Sequence, residues 1–186
     1  MSGAVWPTGR ARDGGVDDVP LVGALADGDG RMWLCGKHAI GPDVEALLAR
    51  LGATRVVCLT ERHELLDRYP EYVAWLDRER GERARWHPVH DLSAPTLAEF
   101  ADVVALVMGD LAAGERIVVH CAAGIGRAGT LAVGLLLACG SSLDDAIAHV
   151  AGHRPMAGPE VGAQQSLVEA FAARCGADGS AGGRSV

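Results

Sequence analysis

Val119-His120-Cys121-Ala122-Ala123-Gly124-Ile125-Gly126-Arg127-Ala128-Gly129-Thr130 joins two apolar segments of different character. Upstream, Arg116–His120 reads Arg-Ile-Val-Val-His, a short β-branched run that predicts a buried central strand. Downstream, Gly126–Ala138 is apolar nearly all round, which predicts a buried helix. The loop between them is built of small residues. Such a loop lets the backbone curl until several N–H groups converge on one point, and here that point also lies at a helix N-terminus. The segment therefore reads as an anion cradle. Cys121 opens the loop and shares its positive field, which favours the nucleophilic thiolate. Arg127 is placed to fold back and clamp a tetrahedral oxyanion with two parallel hydrogen bonds. A thiolate beside a phosphate-shaped cradle predicts transfer of a phosphoryl group to sulfur.

The neighbouring sequence extends this unit into an α/β domain. Thr54–Leu59 reads as a buried strand and Arg85–Val89 as a short one, while Leu21–Ala26 and Arg31–Cys35 flank the turn signal Asp27-Gly-Asp-Gly and suggest a hairpin. Helical patterns cover Pro42–Leu51 (ended by Gly52), Glu61–Arg80 with a break near Pro70, and Pro95–Ala113 with Ser93 or Thr96 as cap. Two more cover Leu143–Gly152 and Pro159–Arg174. Strands that are apolar throughout, alternating with helices, imply a central, mainly parallel β-sheet with helices on both faces. Residues 1–19 and 176–186 lack periodicity and read as a flexible N-terminal tail and a disordered C-terminal tail around one domain, residues 20–175.

Composition excludes several classes. The 186 residues carry a formal net charge of −7, unfavourable for nucleic acid or an anionic membrane surface. There is no apolar run of transmembrane length and no basic region followed by an apolar stretch at the start, so a cytoplasmic protein is expected. The five cysteines form no C-x-x-C pair, which argues against a disulfide framework or a zinc ribbon. His87 and His90 lack further ligands at suitable spacing, so no metal is expected.

The run from His120-Cys121 to Arg127, a cysteine, five residues and an arginine, resembles the signature loop of the cysteine-dependent protein tyrosine phosphatase superfamily. Three further stretches are similar to the small atypical dual-specificity type: residues 52–61, His87-Pro-Val-His-Asp91-Leu-Ser-Ala-Pro95, and Arg154-Pro155 with residues 159–171. The resemblance implies a dual-specificity phosphatase-like fold and hydrolysis of phosphotyrosine, with phosphoserine or phosphothreonine also accepted. It implies Cys121 as nucleophile and Arg127 with the Ala122, Ala123, Gly124, Ile125 and Gly126 amides as the phosphate site. Asp91 is implied as general acid and then base, which fits the need to protonate a leaving alkoxide. Asp110 and Glu115 are rivals for that role. His120 is implied to support the loop, and Gln164 to position the hydrolytic water, although Gln165 is adjacent. No cofactor is implied, and the partner is a phosphorylated protein or a small phosphate ester. One departure stands out: where the family usually has Ser or Thr after the arginine, this chain has Ala128, and Thr130 lies two positions on. Loss of that hydroxyl leaves open a phosphate-binding pseudophosphatase. A rhodanese-like sulfurtransferase is a weaker alternative, since that loop is one residue shorter and has no acid on a preceding loop.

Overall fold

A computed structural model describes residues 15–181. In chain order it contains β1 (Val16–Asp18), β2 (Arg31–Gly36), α1 (Lys37–Ile40), α2 (Val44–Leu51), β3 (Arg55–Cys58), α3 (Arg62–Leu66) and α4 (Pro70–Arg78). These are followed by β4 (Ala84–Trp86), α5 (Leu97–Ala112), β5 (Arg116–Cys121), α6 (Gly126–Ala138), α7 (Leu143–His153) and α8 (Ala163–Ala181). The five strands form one sheet in the order β1-β2-β5-β3-β4. β2, β5, β3 and β4 run parallel, and only the edge strand β1 is antiparallel.

The period-two alternation of each strand divides the core. From β5, Ile117, Val119 and Cys121 join Met32, Leu34, Val57 and Leu59 under α5–α8. Val118 points the other way and joins Cys35, Val56 and Cys58 under α1–α4, against Ile40, Leu48, Tyr72 and Leu76. Helices thus cover both faces, as the apolar strands predict. Helix α6 is buried on nearly every side, so its apolar periphery is core rather than surface. Local signals act where expected. Gly52 closes α2 in the left-handed conformation (φ 62°), Thr96 and Glu99 form a reciprocal capping box on α5, and Pro70 starts α4. Among the described residues no helix is long and apolar enough to cross a membrane.

Two expectations about the chain ends change. Residues 21–26 do not form the first arm of a hairpin: Gly23–Leu25 is a 3-10 turn, and the partner of β2 is Val16–Asp18, inside the segment expected to be a tail. The cause is burial of single apolar residues. Val19 is wholly buried and its N–H bonds to Met32 O at 2.9 Å, while Val16 packs against the α1–α4 side of the core. At the other end α8 continues past Arg174 to Ala181, through much of the segment expected to be disordered. Residues 1–14 and 182–186 of the expected tails lie outside the described residues.

Helix α6 touches the segment before α8 through glycine. A Cβ on Gly129 would collide with the backbone N of Gly158 and come within 2.8 Å of its Cα. Backbone on the receiving side cannot turn aside as a side-chain end can. Gly129→Val is expected to lower stability by about 2 kcal/mol, in the range of core overpacking, and this is read as a lower urea midpoint at unchanged m-value.

Candidate active site

The parallel strands end together at one edge of the sheet, and Cys121 is the last residue of the central one. The loop that follows is shaped from outside. Lys37 N–H donates to Ala122 O at 3.0 Å. Arg154, fully buried, donates through Nη2 to Ala123 O at 2.8 Å and through Nε to Gly124 O at 2.6 Å. Three successive carbonyls are thus drawn outward, which turns N–H groups of the loop inward; that of Gly124 donates to Cys121 Sγ at 3.2 Å. Gly124 has φ 72°, and any Cβ on it would strike the Cys35 carbonyl, so the curl requires glycine. Arg154 also bonds Leu34 O at 3.2 Å and Asp17 Oδ2 at 2.6 Å, which ties the loop to β2 and β1.

Arg127, in the first turn of α6, has a side chain only 2% exposed. Glu64 on α3 holds it bidentately, at 2.7 Å from Nη1 and 2.9 Å from Nη2, and Nη1 also donates to Val89 O at 2.7 Å. Burial opposes the charge on Arg127, but its hydrogen bonds to Glu64, with Cys121 and Asp91 nearby, outweigh it and raise its pKa further. For Glu64 burial alone would raise the pKa, yet Arg127 and the Glu61 N–H hold it below the ordinary glutamate value. The cation is therefore rigid and permanently charged.

Asp91, on the loop after β4, pairs with Arg127 Nη2 through Oδ1 at 3.1 Å and is 62% exposed. Its rivals are at the far end of the sheet. Asp110 is held by Arg85 at 3.0 Å, and Glu115 by Arg55 at 2.9 Å, beside the start of β5 rather than its end. His120 is wholly buried on the opposite face of β5 from Cys121. Its Nδ1 lies 3.3 Å from Cys121 O, an acceptor, so Nδ1 carries the proton, and Nε2 accepts from the Tyr72 hydroxyl at 2.7 Å. Burial lowers its pKa to about 4, so the imidazole is neutral. His87 and His90 diverge: His90 bonds Glu61 at 2.8 Å, and the buried Nε2 of His87 has no hydrogen-bond partner among the described residues.

Of the two adjacent glutamines, Gln164 points inward and Gln165 bonds Glu169 on the surface. Oε1 of Gln164 accepts from Glu160 N at 3.2 Å and lies 2.9 Å from Thr130 Oγ1, whose single proton it shares with Gly126 O. Its Nε2 donates to Ser93 O at 3.2 Å and Glu160 Oε2 at 3.4 Å. Through these contacts Gln164 braces α6, the Asp91 loop and the turn at Glu160. The Thr130 hydroxyl, engaged by Gln164 and by Gly126 O at 2.8 Å, is not directed at Sγ, and Ala128 is wholly buried without replacement for its missing hydroxyl.

Above the loop opens a cleft of about 530 Å³, lined by Cys121–Ala123, Ile125–Arg127, Asp91 and Glu160 and rimmed by Leu92, Met156 and Val161. Three residues around the loop carry weight that the sequence reading did not give them. Glu64 lay in a segment read as helix, and Arg154 and Glu160 in the stretch similar to the dual-specificity type, where neither was given a role. Glu64 is the third residue of a helix that starts where β3 ends, the edge on which the signature loop had to lie, and that position was its available signal.

Residues 30–170 match the family described as PTP-SAK, Swiss Army Knife protein, DSP-PTPase phosphatase domain. No curated protein sequence matches the chain. Among solved structures, Tk-PTP in its active form is 26% identical, with a TM-score of 0.62 over 80% of this chain and 94% of that one. Kinase associated phosphatase with its catalytic-site cysteine replaced by serine is 19% identical, with a TM-score of 0.70 over 89% and 97%. PTPMT1 in complex with PI(5)P is 20% identical, with a TM-score of 0.64 over 80% and 94%. The last two show the shared fold.

The neutral, buried His120 has a consequence for acid stability. Its folded pKa lies below the value near 6.5 of an exposed histidine, so below pH 6.5 the unfolded chain binds a proton that the folded chain refuses. Its contribution is fully present above pH 6.5 and is lost as pH falls toward 4, amounting to about 3 kcal/mol across that window. Urea midpoints of His120→Asn measured from pH 7.5 to 4 are expected to fall less steeply than those of the wild type.

Proposed function

Because the chain belongs to the PTP-SAK family of DSP-PTPase phosphatase domains, we propose that it hydrolyses phosphate monoesters through a phosphocysteine formed on Cys121. One observation carries this reading: the Cys121 sulfur lies at the base of a loop whose carbonyls are tied away from it, beside a guanidinium already braced by Glu64. In the first step the thiolate attacks phosphorus while Arg127 and the 122–127 amides hold the phosphoryl oxygens. Asp91, from the loop over Arg127, protonates the departing alcohol or phenol. Water then attacks the phosphocysteine, and sulfur leaves as thiolate. The positive charge comes from Arg127 and backbone amides, so this chemistry calls for no metal or organic cofactor.

The rim supports a substrate with an apolar group next to its phosphate. Leu92, Met156 and Val161 are 72%, 40% and 94% exposed at the mouth of the cleft. Leu92 and Met156 are also the described non-glycine residues with positive φ, at 58° and 68°. Strained backbone that projects apolar side chains at a cleft mouth fits a contact surface for ligand. The loop interior carries no lysine, and Asp91 and Glu160 face the cleft, which disfavours polyphosphorylated substrates. A phosphorylated protein or a small ester with an aryl or other apolar alcohol fits this mouth, and the protein is proposed to act in the cytoplasm.

Cys121→Ser is expected to abolish hydrolysis of an aryl phosphate and to retain phosphate binding, because the cradle is backbone and Arg127 whereas a serine hydroxyl is far less ionised than a thiol. Residual turnover within about tenfold of wild type, on the scale of tenfold per 1.4 kcal/mol, would exclude the covalent route. Chelators are expected to have no effect.

The second reading, a phosphate-binding pseudophosphatase, is favoured by Ala128 and by the Thr130 hydroxyl being engaged elsewhere. It is tested by restoring the hydroxyl. Ala128→Ser adds a hydrogen bond to the developing thiolate, worth roughly 1.5–3 kcal/mol. A rise of about ten- to a hundredfold in kcat, with little change in kcat/KM, is then expected if sulfur departure limits turnover.

A further inference from the structure

The loop that carries Asp91 is fastened to the protein at the two ends of one turn. Its first residues extend the sheet: His87 N–H donates to Cys58 O at 2.9 Å and Val89 N–H to Leu59 O at 3.0 Å. Among the described residues no backbone–backbone hydrogen bond then ties residues 90–95 to another element. Within that stretch Ser93 N–H donates to His90 O at 3.0 Å, which closes a four-residue turn with Asp91 and Leu92 at its exposed tip. Side chains hold the two ends. Gln164 Nε2 donates to Ser93 O at 3.2 Å from α8, and His90 Nδ1 donates to Glu61 Oε2 at 2.8 Å at the start of α3. The carboxylate only accepts, so Nδ1 carries the proton. Glu61 is itself tied to the site. Its N–H donates to Glu64 Oε1 at 2.9 Å, and Glu64 holds Arg127, which pairs with Asp91. His90, Glu61, Glu64, Arg127 and Asp91 thus form a closed ring in which the first and last members are neighbours in the chain.

Resting on the phosphatase reading above and on Asp91 as its acid, we propose that His90 is a positioning residue for the first half-reaction: through Glu61 it latches the base of the acid turn to α3, so that Asp91 stands over the cleft. His90 touches no reacting atom and transfers no proton. It acts by raising the fraction of time that the turn holds Asp91 within reach of the leaving oxygen. The His90 side chain is 75% exposed, so the latch is a surface contact, and a contact of that kind is worth up to a factor of about five. It fixes the backbone ahead of Asp91 and leaves the carboxyl able to move off Arg127 when a phosphoryl group arrives. Because the latch works through Asp91, it matters only where a proton must be delivered. An alkoxide or an unactivated phenoxide needs that proton, whereas nitrophenoxide departs without it.

The experiment compares kcat/KM of the full chain on phenyl phosphate and on 4-nitrophenyl phosphate, since this parameter reports the steps up to phosphoryl transfer. His90→Ala is expected to lose about three- to fivefold on phenyl phosphate and to stay within about 1.5-fold of wild type on 4-nitrophenyl phosphate. His90→Asn, which places an amide N–H where Nδ1 stood, is expected to restore the phenyl phosphate rate. Glu61→Ser keeps a favoured cap on α3 but is too short to reach His90. It is expected to match His90→Ala, with no further loss in the double variant. In an Asp91→Asn background His90→Ala is expected to change neither rate, a result that a merely structural role would not give. Equal loss on both esters, an unchanged phenyl phosphate rate, or a loss that persists in Asp91→Asn overturns the latch and leaves the phosphatase reading standing. A wild type that hydrolyses neither ester and never labels at Cys121 overturns that reading and the latch with it.

Discussion

The structure depends on one buried cation that does no chemistry. A loop that turns its N–H groups toward a bound anion must send its carbonyls somewhere, and buried carbonyls without partners are costly. Arg154 solves this by collecting those of Ala123 and Gly124 together with that of Leu34 in the neighbouring strand. Its own charge would be prohibitive at zero exposure were it not matched by Asp17 at 2.6 Å. This explains why β1 belongs to the site although it lies at the sheet edge: it brings the counter-charge that makes the buried guanidinium tolerable. It also explains why Gly124 must be glycine, since the loop is pulled against the Cys35 backbone until no Cβ fits.

The two arginines that frame the loop divide the work of positive charge. Arg154 faces the carbonyl side and is consumed entirely by the protein, while Arg127 faces the cleft and is only partly so. Glu64 and the Val89 carbonyl hold Arg127 in plane, which fixes its orientation before any ligand arrives and lowers the ordering cost of binding. Behind the loop, His120 completes the support without adding charge. Its neutral ring spans from the Cys121 carbonyl to the Tyr72 hydroxyl and so joins β5 to α4.

The parts of this protein legible in the sequence are those with a local cause. The strand and helix flanking Cys121, the stop at Gly52, the break at Pro70 and the cap at Thr96 each follow from residues within a few positions of one another, and each appears in the structure. The site elements that escaped are long-range pairings. Glu64 and Arg127 are 63 residues apart, and Arg154 and Asp17 are 137 apart. No spacing rule joins such partners; only the sheet order brings them together. β1 escaped for a related reason. Its three residues carry one apolar side chain among two aspartates, too little for periodicity, and its place is fixed by Val19 and by the charge of Arg154. Gln164 was legible as a residue of the site, and its side chain braces α6 against the Asp91 loop and the turn at Glu160.

The ion pair between Asp91 and Arg127 has a consequence for how the cleft treats anions in general. The guanidinium comes with its own mobile counterion, so an incoming anion binds by exchange rather than by simple addition. A singly charged competitor gains little by the swap, because it replaces one unit of negative charge with another and surrenders its hydration as well. A doubly charged phosphoryl group with three oxygens to distribute over the loop amides gains more than Asp91 gives up. The pairing thus acts as a charge filter: in a medium crowded with chloride and carboxylates it biases the cleft toward dianions.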